Sequence, residues 1–497
     1  MGDRNEIGKP TISPESGKYY CTNVKSRRNM ARSKTSTFTI ELPLKVTAEI
    51  THEIDKRIKV AINLYNTAVN YSLKKLRGVL ADKEYRELLK EPSSTKKNKR
   101  LREIERNYGY SEFQLHAAII PSREHFKQYI GGMQTQALCS RAFLAVEKFH
   151  YKKAKKVYFV PLTADEFSIE GKTNATGIKF RDGKIVWLGL EIPVKIDPKN
   201  EYIQEALQNR IKYCRIKRKY IREKYKYYVD IVLEGIPPQK NRKVGKVTST
   251  VGLDIGPSTI AIVSDEYVGL RDLSNDKAEN YQREITRLQR AMDRSRRDTN
   301  PDNYNADGTV KKGCKEWKYS NNYQKLKKKL NKIHRKLKVK RREHHEILAN
   351  EILSLGLDIR VEALNIQGWK KRAKETTYNK KNGRANSKKR FGKSIINNAP
   401  AMLLEILDRK LKYHGMSLKK INTTTCKASQ YNHIDDTYVK KALSERAAVV
   451  GDNIIQRDIY SAFLIKNTND SLDIIDRDKC NKDWNGFLEN YNNYLAA

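Results

Sequence analysis

The sequence predicts a multidomain protein of α/β plus α+β class. A period-two strand opens the folded part and further strands follow a long helical stretch. Beyond about residue 245, "VGLDIGPSTIAIV" reads as two short strands around a turn, and two long helical patterns separate them from the strand "LDIRVEALNI". The 497 residues, 38% of them hydrophobic, suffice for more than one core.

Residues 1–36 are polar, carry Pro10, Pro14, Lys25, Arg27 and Arg28, and read as a flexible basic arm. Phe38, Ile40, Leu42, Leu44 and Val46 alternate and predict a strand. Ile54, Ile58, Ile62, Tyr65, Val69 and Leu76 recur at helical spacings, and Ala142, Val146 and Phe149 mark a second helical stretch from about 135 to 155. The charged segment between them, about 77 to 110, reads as an exposed connection. "VYFVPL", "GIKF", "IVWLGLEIPVKI" and "KYYVDIVLEG" then predict strands, and the basic, Pro-containing "IPPQKNRKVGK" places a boundary near residue 245.

In the second part, Tyr281, Ile285, Leu288 and Met292, then Leu326, Leu330, Ile333 and Leu337, share a 4-3-4 spacing that predicts an antiparallel helical hairpin. After "LDIRVEALNI" come a basic loop (about 370–392), a helix opened by Pro400 with Leu403, Leu407 and Leu411 inward, and the strand "SLKKINTT". "DNIIQRDIYSAFLIK" reads as a helix and residues 470–497 as a mixed tail.

Lys and Arg number 100 against 58 Asp and Glu, a formal net charge of +42, which points to a polyanionic partner. No stretch approaches the roughly 20 apolar residues of a membrane span, so nucleic acid is the partner the charge predicts. The cations concentrate on the hairpin: Arg283, Arg287, Arg290 and Arg294 on the first arm, Lys325, Lys328, Lys332, Arg335, Lys338, Arg341 and Arg342 on the second. With Lys371 and Arg372 in the following loop, they are candidate phosphate contacts. Tyr213, Tyr220, Tyr225, Tyr227 and Tyr228 lie among basic residues and are candidates for stacking on bases. The cysteines (Cys21, Cys139, Cys214, Cys314, Cys426, Cys480) form no Cys-x-x-Cys pair and no apolar signal segment stands at the start, so a reducing cytoplasm without disulfides is expected.

Three acids stand among apolar neighbours: Asp254 in "VGLDIG", Glu362 in "RVEALNI", and Asp458, whose helical face would include Ile455 and Ala462. An ionised carboxylate at a buried strand centre is costly unless a cation pairs with it. For any one of them an ion pair with Arg or Lys is the plain alternative. Three together would repel, and divalent cations remove that repulsion, as in two-metal phosphodiester hydrolysis. Gly252 and Gly256 would keep the backbone beside Asp254 open to a phosphate. "GLDIGPSTIAIV" also looks like the first phosphate loop of actin-like ATPases and sugar kinases, but no second Asp-x-Gly loop or Gly-rich adenosine site follows it.

Taken in order, "KYYVDIVLEG", "VGLDIG", the basic hairpin ending "HRKLKVKRREHHEILANEIL", "VEALNI" and "RDIYSAF" resemble the RuvC-type nuclease region of transposon-encoded TnpB proteins and of miniature type V CRISPR effectors, especially type V-F. "QALCSRAFLAVEKFHYKKAKKVYF" looks like the recognition helix that runs into the wedge domain of that family, so the resemblance covers about residues 37–468. It implies a ribonuclease H-like RuvC domain (246–424 and 452–470) with a helical-hairpin insertion (273–350). Before it would stand a β-barrel-like wedge domain (37–50 and 155–245) carrying a helical recognition insertion (51–154). A target-loading segment would occupy 425–451, followed by a tail, 471–497.

The same resemblance carries over Asp254, Glu362 and Asp458 as the catalytic carboxylates that hold two Mg²⁺ ions, with Arg457 in support. The family's zinc ribbon is degenerate here: Cys426 stands at the first ligand position, but Ser429, Ala447 and Val450 stand at the others, and no zinc is expected. The implied function is an RNA-guided DNA endonuclease of CRISPR immunity. A guide RNA pairs with target DNA beside a short protospacer-adjacent motif, and one RuvC site cuts both strands. Its implied partners are guide RNA, double- and single-stranded DNA, and a second subunit on the same guide. A TnpB homing nuclease and a cleavage-deficient RNA-guided repressor are the alternatives; the latter predicts loss of a carboxylate, and all three are present.

Overall fold

Alternation decides the first strand: in β1 (Thr37–Pro43), Phe38, Ile40 and Leu42 are buried while the residues between them are exposed, as in a sheet with one covered face. The computed structural model describes residues 35–496 apart from 240–243, 275–277, 314–315, 364, 370–374, 380–382, 384, 386–391, 441 and 443–444. All but the last two residues of the basic arm, Lys371, Arg372 and most of the basic loop therefore lie outside the described residues. The chain forms two units, Met1–Tyr220 with Tyr225–Ile236, and Ile221–Lys224 with Pro237–Ala497.

In the first unit α1 (Ala48–Ala81) starts at Thr47, whose hydroxyl accepts from the Ile50 amide, and it buries Ile54, Ile58, Ile62, Val69 and Leu76. The connection expected over 77–110 is instead helical: α1 runs on, and α2 (Lys83–Leu88) and α3 (Thr95–Asn107) follow. Charge hides them in the sequence, because each is anchored by few apolar residues, Tyr85 in α2 and Ile104 in α3. α4 (Glu112–His125) and α5 (Gly132–His150) complete the helical layer.

The strands of this unit are β2 (Glu166–Glu170), β3 (Lys179–Arg181), β4 (Lys184–Trp187) and β5 (Leu190–Pro193) and, after α6 (Glu201–Leu207), β6 (Ile211–Ile221) and β7 (Lys224–Glu234). "VYFVPL" is not a strand; the Asn66 side chain instead takes up the Val160 backbone, accepting from its N–H at 2.9 Å and donating to its carbonyl at 2.8 Å. The barrel expectation is also corrected. The strands form a four-stranded sheet, β1-β7-β6-β2, and a three-stranded sheet, β3-β4-β5, joined to the end of β1 by a Leu44–Val194 bridge, and β1 and β2 do not pair to close a barrel.

In the second unit β8 (Thr250–Ile255), β9 (Thr259–Val263) and β10 (Val268–Asp272) form an antiparallel meander. β11 (Asp358–Glu362) and β12 (Lys419–Ile421) continue the sheet in parallel beyond β8, giving the order β10-β9-β8-β11-β12. Between β10 and β11, α7 (Ala278–Thr299) and α8 (Asn321–Leu355) zip together on Ile285, Leu288 and Ile333, as the 4-3-4 spacing predicts. α9 (Ile366–Trp369), α10 (Gly392–Asn398) and α11 (Pro400–Lys412) lead into β12. One sheet face, carrying Val251, Leu253, Ile359 and Val361, packs on Leu348 and Ile352 of α8 and Leu403 and Leu407 of α11.

α12 (Thr423–Cys426), the hairpins β13 (Tyr431–Asn432) with β14 (Thr437–Tyr438) and β15 (Ala447–Val450) with β16 (Asn453–Gln456), then α13 (Arg457–Lys466) and α14 (Arg477–Ala496), build the other side. The helix expected from Asp452 therefore begins later: Ile455 pairs with Ala448 in a strand, and the Gln456 side chain caps α13 by accepting from the Ile459 amide at 2.7 Å. The expected mixed tail contains a 20-residue helix, α14, whose Trp484, Phe487 and Tyr491 extend an aromatic cluster with Phe463. Cys426 is a buried member of this core, with Sγ 3.8 Å from the Leu472 carbonyl.

His433 sits in the same core without solvent exposure. Tyr460 Oη accepts the His433 backbone N–H at 3.1 Å and lies 2.8 Å from the ring Nδ1. Burial, assisted by the nearby Arg477 charge, pushes the ring from 6.5 down to about 4. Below about 6.5 the unfolded chain gains a proton that the folded chain refuses, so stability falls as pH drops from 6.5 toward 4, by up to ~3 kcal/mol. Thermal melts across that window check this: His433→Phe should flatten the slope, and an unchanged slope would assign the acid lability elsewhere.

Candidate active site and nucleic-acid surface

β8 and β11 lie in register, with Leu253 beside Val361, so the next residues, Asp254 and Glu362, stand side by side at the carboxyl ends of two neighbouring parallel strands. Strand alternation puts Asp254 on the same face as Gly252. That face is covered by α13: a Cβ on Gly252 would come within 2.0 Å of the Ala462 carbonyl oxygen. Asp458 precedes Ala462 by four residues, on the same stripe of α13 and one 5.4 Å turn nearer its N-terminus. The third carboxylate is thus brought to the first two by a helix that only glycine admits. Gly252 serves this packing and does not hold the backbone open to a phosphate; Gly256, with 3.5 Å to its nearest neighbour, is the uncrowded one.

The charges register the meeting. Asp254 is held well above the usual carboxylate range, first by burial and then by Glu362 and Asp458, with Arg457 opposing. Glu362 is raised by burial. All three retain some exposure, so the site is recessed rather than sealed. Around Asp458, Arg457 approaches Oδ1 at 3.3 Å, Gln456 donates to Oδ2 at 3.2 Å, and Arg446 stands 3.8 Å from Oδ2. Arg457 is itself fixed by the Glu445 carbonyl at 3.0 Å. Gln456 and Arg446 do not stand out in the sequence; Gln456 adjoins the Arg-Asp pair, while only folding of the β15–β16 hairpin brings Arg446 there.

Among the described residues, no three His, Cys, Asp or Glu side chains are already gathered into a cage for an ion. The donor chemistry nevertheless fits a hard divalent cation: the candidates are oxygen ligands only, and Asp254 tends to keep its proton when no positive charge offsets its neighbours.

The structure sorts the candidate phosphate contacts. Arg283, Arg287, Arg290 and Arg294 are exposed and, with Gln282 and Thr286, line a groove of about 470 Å³ on α7. Lys325, Lys328, Lys332 and Lys338 are exposed and Arg335 partly so on α8. Arg342 is 3.8 Å from Glu346, and Arg341 turns inward, donating to the Ile396 carbonyl with its guanidinium pKa lowered by burial, so Arg341 is corrected from a surface contact to a brace.

Arg296 and Arg297, at the end of α7, also act within the fold. Arg296 contacts Asp293 at 2.6 Å and lies over Trp317, and Arg297 contacts Asp293 at 3.0 Å and lies over Tyr304. Replacing both by Gln should lower stability by about 1–2 kcal/mol while leaving the salt dependence of nucleic-acid binding unchanged. A reduced salt slope at unchanged melting temperature would place them at the interface instead.

No family model and no curated protein matches the chain. Among solved structures it is similar to a Cas12f1–sgRNA–target DNA complex, at 10% identity and a TM-score of 0.47, covering 88% of this chain and 99% of that one. It is also similar to a CRISPR-Cas12f ternary complex, at 13% identity and a TM-score of 0.25, covering 86% and 83%. A third likeness is to a Cas12i1 R-loop complex before target DNA cleavage, at 9% identity and a TM-score of 0.23, covering 77% and 56%. These are CRISPR effectors, the kind of protein the motifs resemble. Likeness of this extent leaves the functional reading to the chain's own residues.

Proposed function

We propose that the chain is an RNA-guided DNA endonuclease whose second unit is a RuvC-type nuclease domain and whose first combines wedge and recognition functions. The observation that carries this reading is the register of β8 with β11 and the seating of α13 on Gly252, which set Asp254 beside Glu362 and turn the first turn of α13, with Asp458, toward them; these acids stand 108 and 204 positions later in the chain, in the order of the family motifs. The +42 charge and the free cation stripes on α7 and α8 supply the polyanion-binding surface such an enzyme needs.

Asp254, Glu362 and Asp458 are the residues that would hold Mg²⁺, which supplies an activated water and charge neutralisation at the leaving oxygen when bound. Asp254 and Glu362 present their carboxyls from rigid strand ends. Arg457 and Gln456 orient the Asp458 carboxylate by contacts to its two oxygens. The Arg457 charge also eases ionisation of Asp254.

The test is to sequence RNA that co-purifies with the protein, rebuild it with a chosen guide, and assay a matching plasmid in Mg²⁺ and in EDTA. Guide-dependent cutting only in Mg²⁺ is expected. Absence of bound RNA, or cutting that persists in EDTA, would overturn the proposal.

A further inference from the structure

We infer that the hydroxyl of Tyr491, on helix α14, is a positioning group for Asp458: it holds the backbone of Gln456, and Gln456 sets both the start of α13 and one oxygen of the Asp458 carboxylate. The inference rests on the nuclease reading above. It reaches past the motifs that carry the resemblance, which end near residue 468, and draws α14, read from the sequence as part of a mixed tail, into the active unit.

α14 lies along α13 as a splint. Asp483, Phe487 and Tyr491 follow one another at four-residue intervals and share one face of α14. They meet Lys466, Phe463 and Gln456 in the opposite order along α13 and its cap. Asp483 pairs with Lys466, the Phe487 ring centre lies 4.5 Å from that of Phe463, and Tyr491 Oη accepts the Gln456 backbone N–H at 3.0 Å. The two helices are thus tied at both ends and in the middle. Asn490 also donates to the Asp265 carbonyl at 3.0 Å, which fixes α14 to the turn between β9 and β10.

The tie at Gln456 falls where a strand becomes a helix. Successive backbone amides of a strand point to opposite sides. The Arg457 N–H crosses the hairpin to the Arg446 carbonyl at 2.9 Å, so the Gln456 N–H, one residue earlier, points away from β15 and meets Tyr491. The Gln456 side chain then serves two neighbours: Oε1 accepts from the Ile459 amide at 2.7 Å, and Nε2 donates to Asp458 Oδ2 at 3.2 Å. Only one orientation of the amide satisfies both contacts. A backbone shift at residue 456 therefore moves the helix cap and the carboxylate contact together.

The ring and the hydroxyl of Tyr491 are separable. The ring is buried, its centre 6.0 Å from that of Phe487, and a phenylalanine would keep this packing. The hydroxyl contributes one hydrogen bond. Its removal leaves Arg457 on Asp458 Oδ1, so the carboxylate is loosened and not lost.

Full-length Tyr491→Phe, Gln456→Ala and the double variant, each with guide RNA, are assayed for single-turnover cutting of a matched target at saturating Mg²⁺. Tyr494→Phe is the control: its ring centre lies 6.3 Å from that of Tyr491, and its hydroxyl makes no hydrogen bond among the described residues. Tyr491→Phe should cut about 5-fold more slowly, the scale of one hydrogen bond, and Gln456→Ala about 10- to 100-fold more slowly. The double variant should be no slower than Gln456→Ala, because the hydroxyl acts through Gln456. Guide and target binding should be unchanged in all of them, and Tyr494→Phe should match the wild type. In the protein without nucleic acid or Mg²⁺, amide hydrogen exchange in the first turn of α13 should quicken in Tyr491→Phe and not in Tyr494→Phe. Wild-type cutting by Tyr491→Phe, unchanged exchange, or a double variant slower than Gln456→Ala would overturn the role of Tyr491 and leave the proposed function standing. A wild type that does not cut would overturn the proposed function, and the role of Tyr491 in catalysis with it.

Discussion

Asp254→Asn should abolish cleavage and, in the absence of magnesium, stabilise the protein. The two effects share one cause. Asp254 stands beside Glu362 and Asp458 with its pKa raised by burial and by both neighbours, so the folded chain keeps a proton that the unfolded chain has released. Stability therefore falls as pH rises from the ordinary carboxylate range, near 4, through the raised value, and the full cost is present above it. Asn is nearly isosteric and carries no charge, so in EDTA at neutral pH the variant should melt several degrees above the wild type. The gap should close as pH is lowered toward 4 and should also narrow when Mg²⁺ binds only the wild type. Cleavage should drop by about 10³-fold or more, the scale of losing a group that acts in the reacting cluster, with RNA and target binding retained. A variant that melts lower than the wild type in EDTA would refute the electrostatic coupling; one that still cuts would refute the site.

The acids are legible in the sequence for a physical reason: a carboxylate between Leu253 and Ile255, or after Val361, is conspicuous against a strand's apolar alternation. The hairpin is equally legible, because a seven-residue recurrence sustained over two long segments is the mark of two helices packed along a shared apolar seam. α3 is not, since a helix anchored by Ile104 amid ten charged or amide side chains looks like solvent-exposed chain. The start of α13 is misplaced because Ile454 and Ile455 precede it with a spacing that suits either a helix or β16. Arg341 shows the opposite limit: its sequence context matches that of Arg335 and Arg342, and only the approach of Ile396 turns it inward. Periodicity reveals which face a residue occupies; it does not reveal what covers that face.

Gly252 is the clearest case of such covering, and Gly252→Ala should be among the most damaging single-methyl changes in the second unit. The added carbon would meet the Ala462 carbonyl oxygen at 2.0 Å, the Lys466 amide nitrogen at 2.6 Å and the Lys466 Cβ at 2.8 Å. Two of these three are backbone atoms, so no rotamer change relieves the clash. β8 is held between β9 and β11. α13 is held by the Phe463 aromatic cluster and by Lys466, which pairs with Asp265 at 2.7 Å and with Asp483. Neither element can yield without breaking its other contacts, and the loss should reach about 3 kcal/mol or more, the upper end of overpacking costs. Any retreat of α13 also carries Asp458 away from Asp254 and Glu362, so cleavage should fall further than the unfolded fraction accounts for. Gly256→Ala is the matched control: its Cβ would lie 3.5 Å from the Thr259 carbonyl oxygen, an ordinary contact, and it should leave the melting temperature nearly unchanged. Equal melting of the two variants in urea or thermal unfolding would mean that α13 does not lie on β8, and the three-carboxylate site would lose its geometric basis.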